Sequence, residues 1–129
     1  MLGSLDEVVF DCAEPAALVR FWHQVLGGTA PTDRSADWSF FDAPSGLRIA
    51  FQRVPEGKSV KNRVHLDVAV DDVPSATDDA ERLGAVRQGP LHSDLVGTFQ
   101  VLLDPEGNEW CVVKANQPST ATLRRNAPS

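Results

Sequence analysis

Three fragments recur in the same order along this chain of 129 residues, and that repeat limits the fold more than any other feature. Phe10-Asp11-Cys12-Ala13 resembles Leu66-Asp67-Val68-Ala69, 56 positions later. Leu26-Gly27 resembles Leu83-Gly84 at an offset of 57. Phe41-Asp42, ahead of a Pro-containing turn ending at Gly46, resembles Leu103-Asp104 ahead of Gly107. Self-similarity at a nearly constant offset marks a duplicated supersecondary unit, and the drift fits small insertions in loops.

Local pattern fills in each copy. Residues 5–12 alternate as a strand, and Glu14-Pro15 then opens a helix. Leu18, Phe21, Trp22, Val25 and Leu26 make its apolar stripe, and Gly27-Gly28 stops it. A short strand is expected near 28–33, an aromatic one over Trp38–Asp42 and another over Leu47–Val54. In the second copy Val64–Val70 reads as a strand, Asp72 as an N-cap and Pro74 as an early helix position, with Gly84 closing the helix after Leu83. Ala85–Gln88, Thr98–Leu103 and Glu109–Lys114 read as strands, the last two joined by an Asp104–Asn108 turn. The division is one domain over 1–114: module one at 5–54, a polar linker at 55–62 and module two at 63–114. A Pro-, Ser- and Thr-rich tail at 115–129 is expected to be mobile.

Strand alternation assigns faces. Val8, Phe10 and Cys12, then Leu47, Ile49 and Phe51, then Val64, Leu66, Val68 and Val70, then Trp110 and Val112 should pack on the helices. The opposite faces carry Glu7, Val9 and Asp11, Arg48, Ala50 and Gln52, His65, Asp67 and Ala69, and Glu109, Cys111 and Val113. The fold class is therefore α+β, with two βαβββ modules in a pseudo-twofold arrangement. Their mixed sheet is expected to form a cup, with helices outside and ionisable groups clustered in the concavity.

Composition removes other classes. The length suits one domain that hides about two thirds of its unfolded surface. A net charge of -6 argues against a general nucleic-acid surface. No apolar run approaches the ~20 residues of a membrane span, and Met1–Asp6 does not read as a secretory signal. Two cysteines are too few for a disulfide scaffold, so a cytoplasmic setting is expected. GxGxxG, paired CxxC and HExxH patterns are missing, and Gly57-Lys58-Ser59 has Gln52 where a GxxxxGK[ST] phosphate loop needs its first glycine, which leaves nucleotide cofactors without support.

The repeat, the opening FDCAEPAALVRFWHQVLGG, the middle AFQRVPEGKSVKNRVHLDVAVDDV and the closing LLDPEGNEWCVV resemble the vicinal oxygen chelate superfamily. The similarity is to its glyoxalase-like, bleomycin-resistance-like branch and covers roughly residues 5–114. It implies a cup around a small-molecule or metal site. It also implies four metal seats, which fall on Glu7, Ala50, His65 and Cys111. Ala50 ligates nothing, and Cys111 in place of an acid favours softer ions such as zinc. Glu7, His65 and Cys111 remain the candidate ligands of a divalent metal with an incomplete set, and Gln52 is able to lend an amide oxygen.

Two functions follow from the resemblance. One is a small-molecule binding protein with a degenerate metal site, sequestering an antibiotic or metabolite. The other is a divalent-metal-dependent lyase, isomerase or dioxygenase acting on a small organic substrate. The candidate ligand-binding residues are Trp38, Phe40, Arg48, Gln52, His65, Glu109 and Cys111. Trp38 and Phe40 share a strand face suited to stacking on a planar ligand, with core filling as the alternative. Arg48 and Glu109 occupy equivalent positions, for an ion pair or for an Arg clamp on a substrate anion. His65 reads as a hydrogen-bonded strand residue, a metal ligand or a proton-transfer group, and Cys111 as a small buried residue or a nucleophile. The expected partners are a small organic ligand and a second copy in a homodimer that covers sheet edges.

Overall fold

The computed structural model describes residues 1–116. They form two compact units: Met1–Val60 together with Pro105–Gly107, and residues 61–104 with those from 108 on. No described helix is long and apolar enough to cross a membrane.

In the first unit the chain runs β1 (Glu7–Cys12), α1 (Pro15–Leu26), β2 (Thr32–Ser35), β3 (Trp38–Asp42) and β4 (Arg48–Arg53). The sheet order is β1-β4-β3-β2, with β1 parallel to β4 and the other pairs antiparallel. Pro15 sits at the first helical positions, where its missing N–H costs nothing. Glu14 supplies no side-chain cap. Instead Glu106, far along the chain, accepts from the N–H groups of Ala13 at 2.7 Å and Glu14 at 2.9 Å. A carboxylate there meets the positive end of the helix dipole. After α1 the chain passes so close to β3 that a Cβ on Gly28 would strike the Asp42 carbonyl. Leu18, Val19, Phe21 and Trp22 of α1 are buried, as are Phe41, Ile49 and Phe51 of the sheet. Phe10 meets Trp22 and Phe51 edge-on at 5.7 and 5.4 Å. Each such side chain contributes roughly 1.5–3 kcal/mol by leaving water.

The second unit runs β5 (Leu66–Ala69), α2 (Val73–Leu83), β6 (Val86–Arg87), β7 (His92–Ser93), β8 (Gly97–Leu103) and β9 (Glu109–Ala115). Here β5 is parallel to β9, β9 antiparallel to β8, and β8 pairs with both β6 and β7. The Asp72 carboxylate accepts from Ser75 N at 2.9 Å as the N-cap of α2, and Gly84 at φ 119° closes the helix.

Each unit is a βαβββ module with a mixed sheet and one α-helix. Three expectations need correction. Val64 and His65 lie outside the strand, and Val64 is 76% exposed rather than packed on α2. The strand expected over Ala85–Gln88 is present as β6, but after a break at Gly89-Pro90 a further short strand, β7, follows at His92–Ser93 where none was expected. The buried Gln100 side chain fills that break, donating to the carbonyls of Gln88, Gly89 and Val101 at 3.3, 3.1 and 3.0 Å. The tail was expected to begin at Ala115, but Ala115 ends β9. Asn116 is tied by its N–H to the Val96 carbonyl and by its amide to the Asp94 carbonyl. The remainder of that tail lies outside the described residues.

Candidate functional site

In the second unit, strand register decides which side chains share the face away from α2. Asp67 and Val101 are the Cα partners of Cys111 on either side, and Leu103 is the partner of Glu109. A cavity of about 560 Å³ opens on this unit, lined by Lys61, His65, Gln88, Gly89, Phe99, Val101, Glu109, Trp110 and Cys111. Phe99 is braced from behind by His92, stacked on it at 4.7 Å. Glu109 anchors the segment that carries Lys61 and His65. It accepts from Asn62 N at 2.9 Å through Oε2, and its own N–H donates to Asn62 Oδ1 at 3.0 Å.

Three polar groups converge beside the cavity. His65 Nε2 lies 3.3 Å from Asp67 Oδ1. The Cys111 sulfur joins them, and one potential ligand atom from each residue lies within 4.8 Å of the others. Burial pushes the Cys111 thiol up to about 11, and the Asp67 charge and the hydrogen bond it takes from the thiol add to this, against Lys61. A thiol so disposed is a neutral donor at pH 7, the less nucleophilic form of the group.

In the first unit the corresponding face carries Glu7, Val9 and Asp11 on β1, Arg48, Ala50 and Gln52 on β4, and Trp38 and Phe40 on β3. Phe41 turns the other way, wholly buried and edge-on to His23 of α1 at 5.7 Å. Trp38 and Phe40 are half-buried on the open face. Arg48 has an ion-pair partner within its own unit. Its Nε donates to Asp42 Oδ1 at 2.8 Å, because the two are cross-strand neighbours. That hydrogen bond, with Glu7 and Asp6 nearby, holds the guanidinium pKa above its ordinary value. Arg48 also covers the Phe40 ring at 4.0 Å.

The metal seats divide between the units: Glu7 and Ala50 in the first, His65 and Cys111 in the second. Ala50 is fully buried between its Cα partners Val9 and Phe40, and its methyl offers no donor. The donors that do stand together are an imidazole nitrogen, a carboxylate oxygen and a sulfur, a set suited to a borderline-soft ion such as zinc. Asp67 is the member that sequence reasoning passed over. It sits on β5 two residues after His65, and only the β5–β9 register puts it opposite Cys111. Phe99 and Val101 were also missed, since strand pairing rather than a motif brings them to this face, as were Lys61, on the segment before β5, and Arg34, at an irregularity of β2.

Paired βαβββ modules with polar sheet faces define the vicinal oxygen chelate class of fold. The glyoxalase-like domain family matches residues 7–113, and this chain belongs to it. Solved structures agree on the fold. A glyoxalase/bleomycin resistance protein/dioxygenase family enzyme from Burkholderia phytofirmans PsJN superposes with a TM-score of 0.73 at 22% identity, covering 88% of this chain and 99% of that one. The fosfomycin resistance protein FosX from Listeria monocytogenes gives 0.71 at 14%, covering 90% and 96%. The oxidase ChaP-H2 gives 0.66 at 15%, covering 92% and 98%. No curated protein matches the chain.

Proposed function

We propose that this protein binds a small organic molecule in the cavity of its second unit, and that its metal site is degenerate. The observation that carries this reading is the cavity itself. Its volume of about 560 Å³ falls in the usual range for ligand sites, and it combines Phe99, Val101 and Trp110 with a few polar groups, Lys61, His65 and Glu109. Ala50 supports the degenerate site, since a ligand seat implied by the resemblance carries only a methyl group. A neighbour named for fosfomycin resistance and one named for bleomycin resistance favour sequestration of an antibiotic or metabolite.

The test is a fragment screen on ¹⁵N-labelled protein after EDTA treatment. Hits should shift the amides of Phe99, Val101 and Cys111, and Val101→Trp, which fills the cavity, should abolish them. Shifts confined to other residues, or unchanged in Val101→Trp, would overturn the reading.

A second reading rests on the His65, Asp67 and Cys111 donors, which would hold a zinc-like ion. The ion would supply Lewis-acid polarisation of a substrate oxygen. His65 and Asp67 would orient one another, and the cavity would position the substrate. Elemental analysis of protein purified without chelator separates the two: stoichiometric metal, lost in His65→Ala, favours this second reading. We also propose a homodimer, supported by β1 and β5 each standing at an edge of its own sheet among the described residues. A cytoplasmic location fits Cys12 and Cys111, both buried free thiols.

A further inference from the structure

We propose that the first unit carries a separate site for a small organic carboxylate, with Arg34 as its anchor. Arg34 is the extra residue of a β-bulge: Asp33 pairs with Ser39 and Ser35 with Trp38, leaving Arg34 between them without a Cα partner. Bulges re-aim a side chain. This one lays the guanidinium over two rings at once, with Cζ 5.4 Å from the centroid of Trp38 and 5.4 Å from that of Phe40.

The acids nearest in sequence are engaged elsewhere. Asp33 takes both terminal nitrogens of Arg20 at 3.2 and 2.9 Å and the Ser39 hydroxyl at 2.7 Å. Asp37 accepts from Arg53 Nε at 3.1 Å. Arg34 is exposed and makes neither a hydrogen bond nor an ion pair among the described residues. Asp11, on the same face, is three strands away, about 14 Å at ordinary strand spacing. A guanidinium over aromatic rings with no acceptor among the described residues has N–H groups to offer, and its fork matches the two oxygens of a carboxylate.

A second unmatched donor stands beside it. Trp38 Nε1 is buried and has no acceptor among the described residues. The cation selects the charge, and the Trp38 ring beneath it reports occupancy through its indole signal.

The site stands on the first unit alone and does not depend on the cavity of the second, so Val101→Trp should leave it intact. The experiment titrates the full-length ¹⁵N-labelled protein with sodium benzoate, reading the Trp38 indole N–H, assigned through Trp38→Phe. Benzamide, the neutral isostere, and inorganic phosphate are run in parallel. We expect benzoate to move the Trp38 indole signal saturably, at least tenfold more tightly than benzamide. Arg34→Gln should lose that tenfold, and Arg34→Lys should recover only part of it. Exposure of Arg34 makes either variant compatible with folding, which the unchanged spectrum of the second unit checks. An unmoved indole signal at millimolar benzoate, equal response to benzamide, or unchanged affinity in Arg34→Gln would each overturn the site. Tighter binding of phosphate than of benzoate would overturn the carboxylate assignment.

Discussion

Asp67 and Cys111 are register partners on parallel strands, and the Asp67 carboxylate and Cys111 sulfur come within 4.8 Å of one another. With His65 Nε2 3.3 Å from the same carboxylate, Asp67 is the hub of the polar cluster beside the cavity. Its charge is one reason that the neighbouring sulfur stays protonated.

The thiol chemistry should report that arrangement. Cys111 has its pKa raised from 9.0 to about 11, so little thiolate exists at pH 7.5. Alkylation of Cys111 by iodoacetamide should run about a hundredfold slower than that of a free cysteine. Asp67→Asn removes the charge and should speed it. Equal rates in the two proteins would show that Asp67 does not act on the sulfur.

Stability should follow the same shift. A raised folded pKa means that folding favours the protonated thiol, so its contribution is complete below about pH 9 and fades as pH rises toward 11. Cys12, pushed up to about 12 mainly by burial and then by the Glu106 charge, acts in the same direction. Urea midpoints should fall between pH 9 and 11 in the natural protein and fall less in Cys111→Ala.

Glu106 holds the start of α1 from the other end of the sequence. Glu106→Ala should cost about 0.5–2 kcal/mol, the range of a lost N-cap, and should speed amide exchange at Ala13 and Glu14. Glu14→Ala, whose side chain caps nothing, is the control and should leave exchange at α1 unchanged.

Gln100 seals the break between β6 and β7. Gln100→Leu leaves the Gln88 and Gly89 carbonyls short of a donor and should cost about 1–3 kcal/mol, measured by chemical denaturation. A neutral outcome would mean that water satisfies those carbonyls.

The repeat and strand alternation made the two βαβββ modules legible, because buried strand faces impose period two and helices the stripe of Leu18, Phe21 and Trp22. The faces of Phe41 and of the Trp38–Phe40 pair followed from the same rule. What alternation could not supply was register. Opposing Asp67 to Cys111, or Arg48 to Asp42, depends on pairing between residues far apart in sequence. Val64 misled because its apolar character fits a strand that the backbone enters only at Leu66. Arg34 was invisible because a bulge leaves no mark in local composition.

The central claim is that the second unit's cavity takes an organic ligand without a metal. Isothermal titration of one fragment hit into EDTA-treated protein, and into the same protein with one equivalent of zinc, tests it directly. The account predicts dissociation constants within about threefold of each other, a coupling free energy below ~1 kcal/mol. Binding that appears only with zinc present would contradict it.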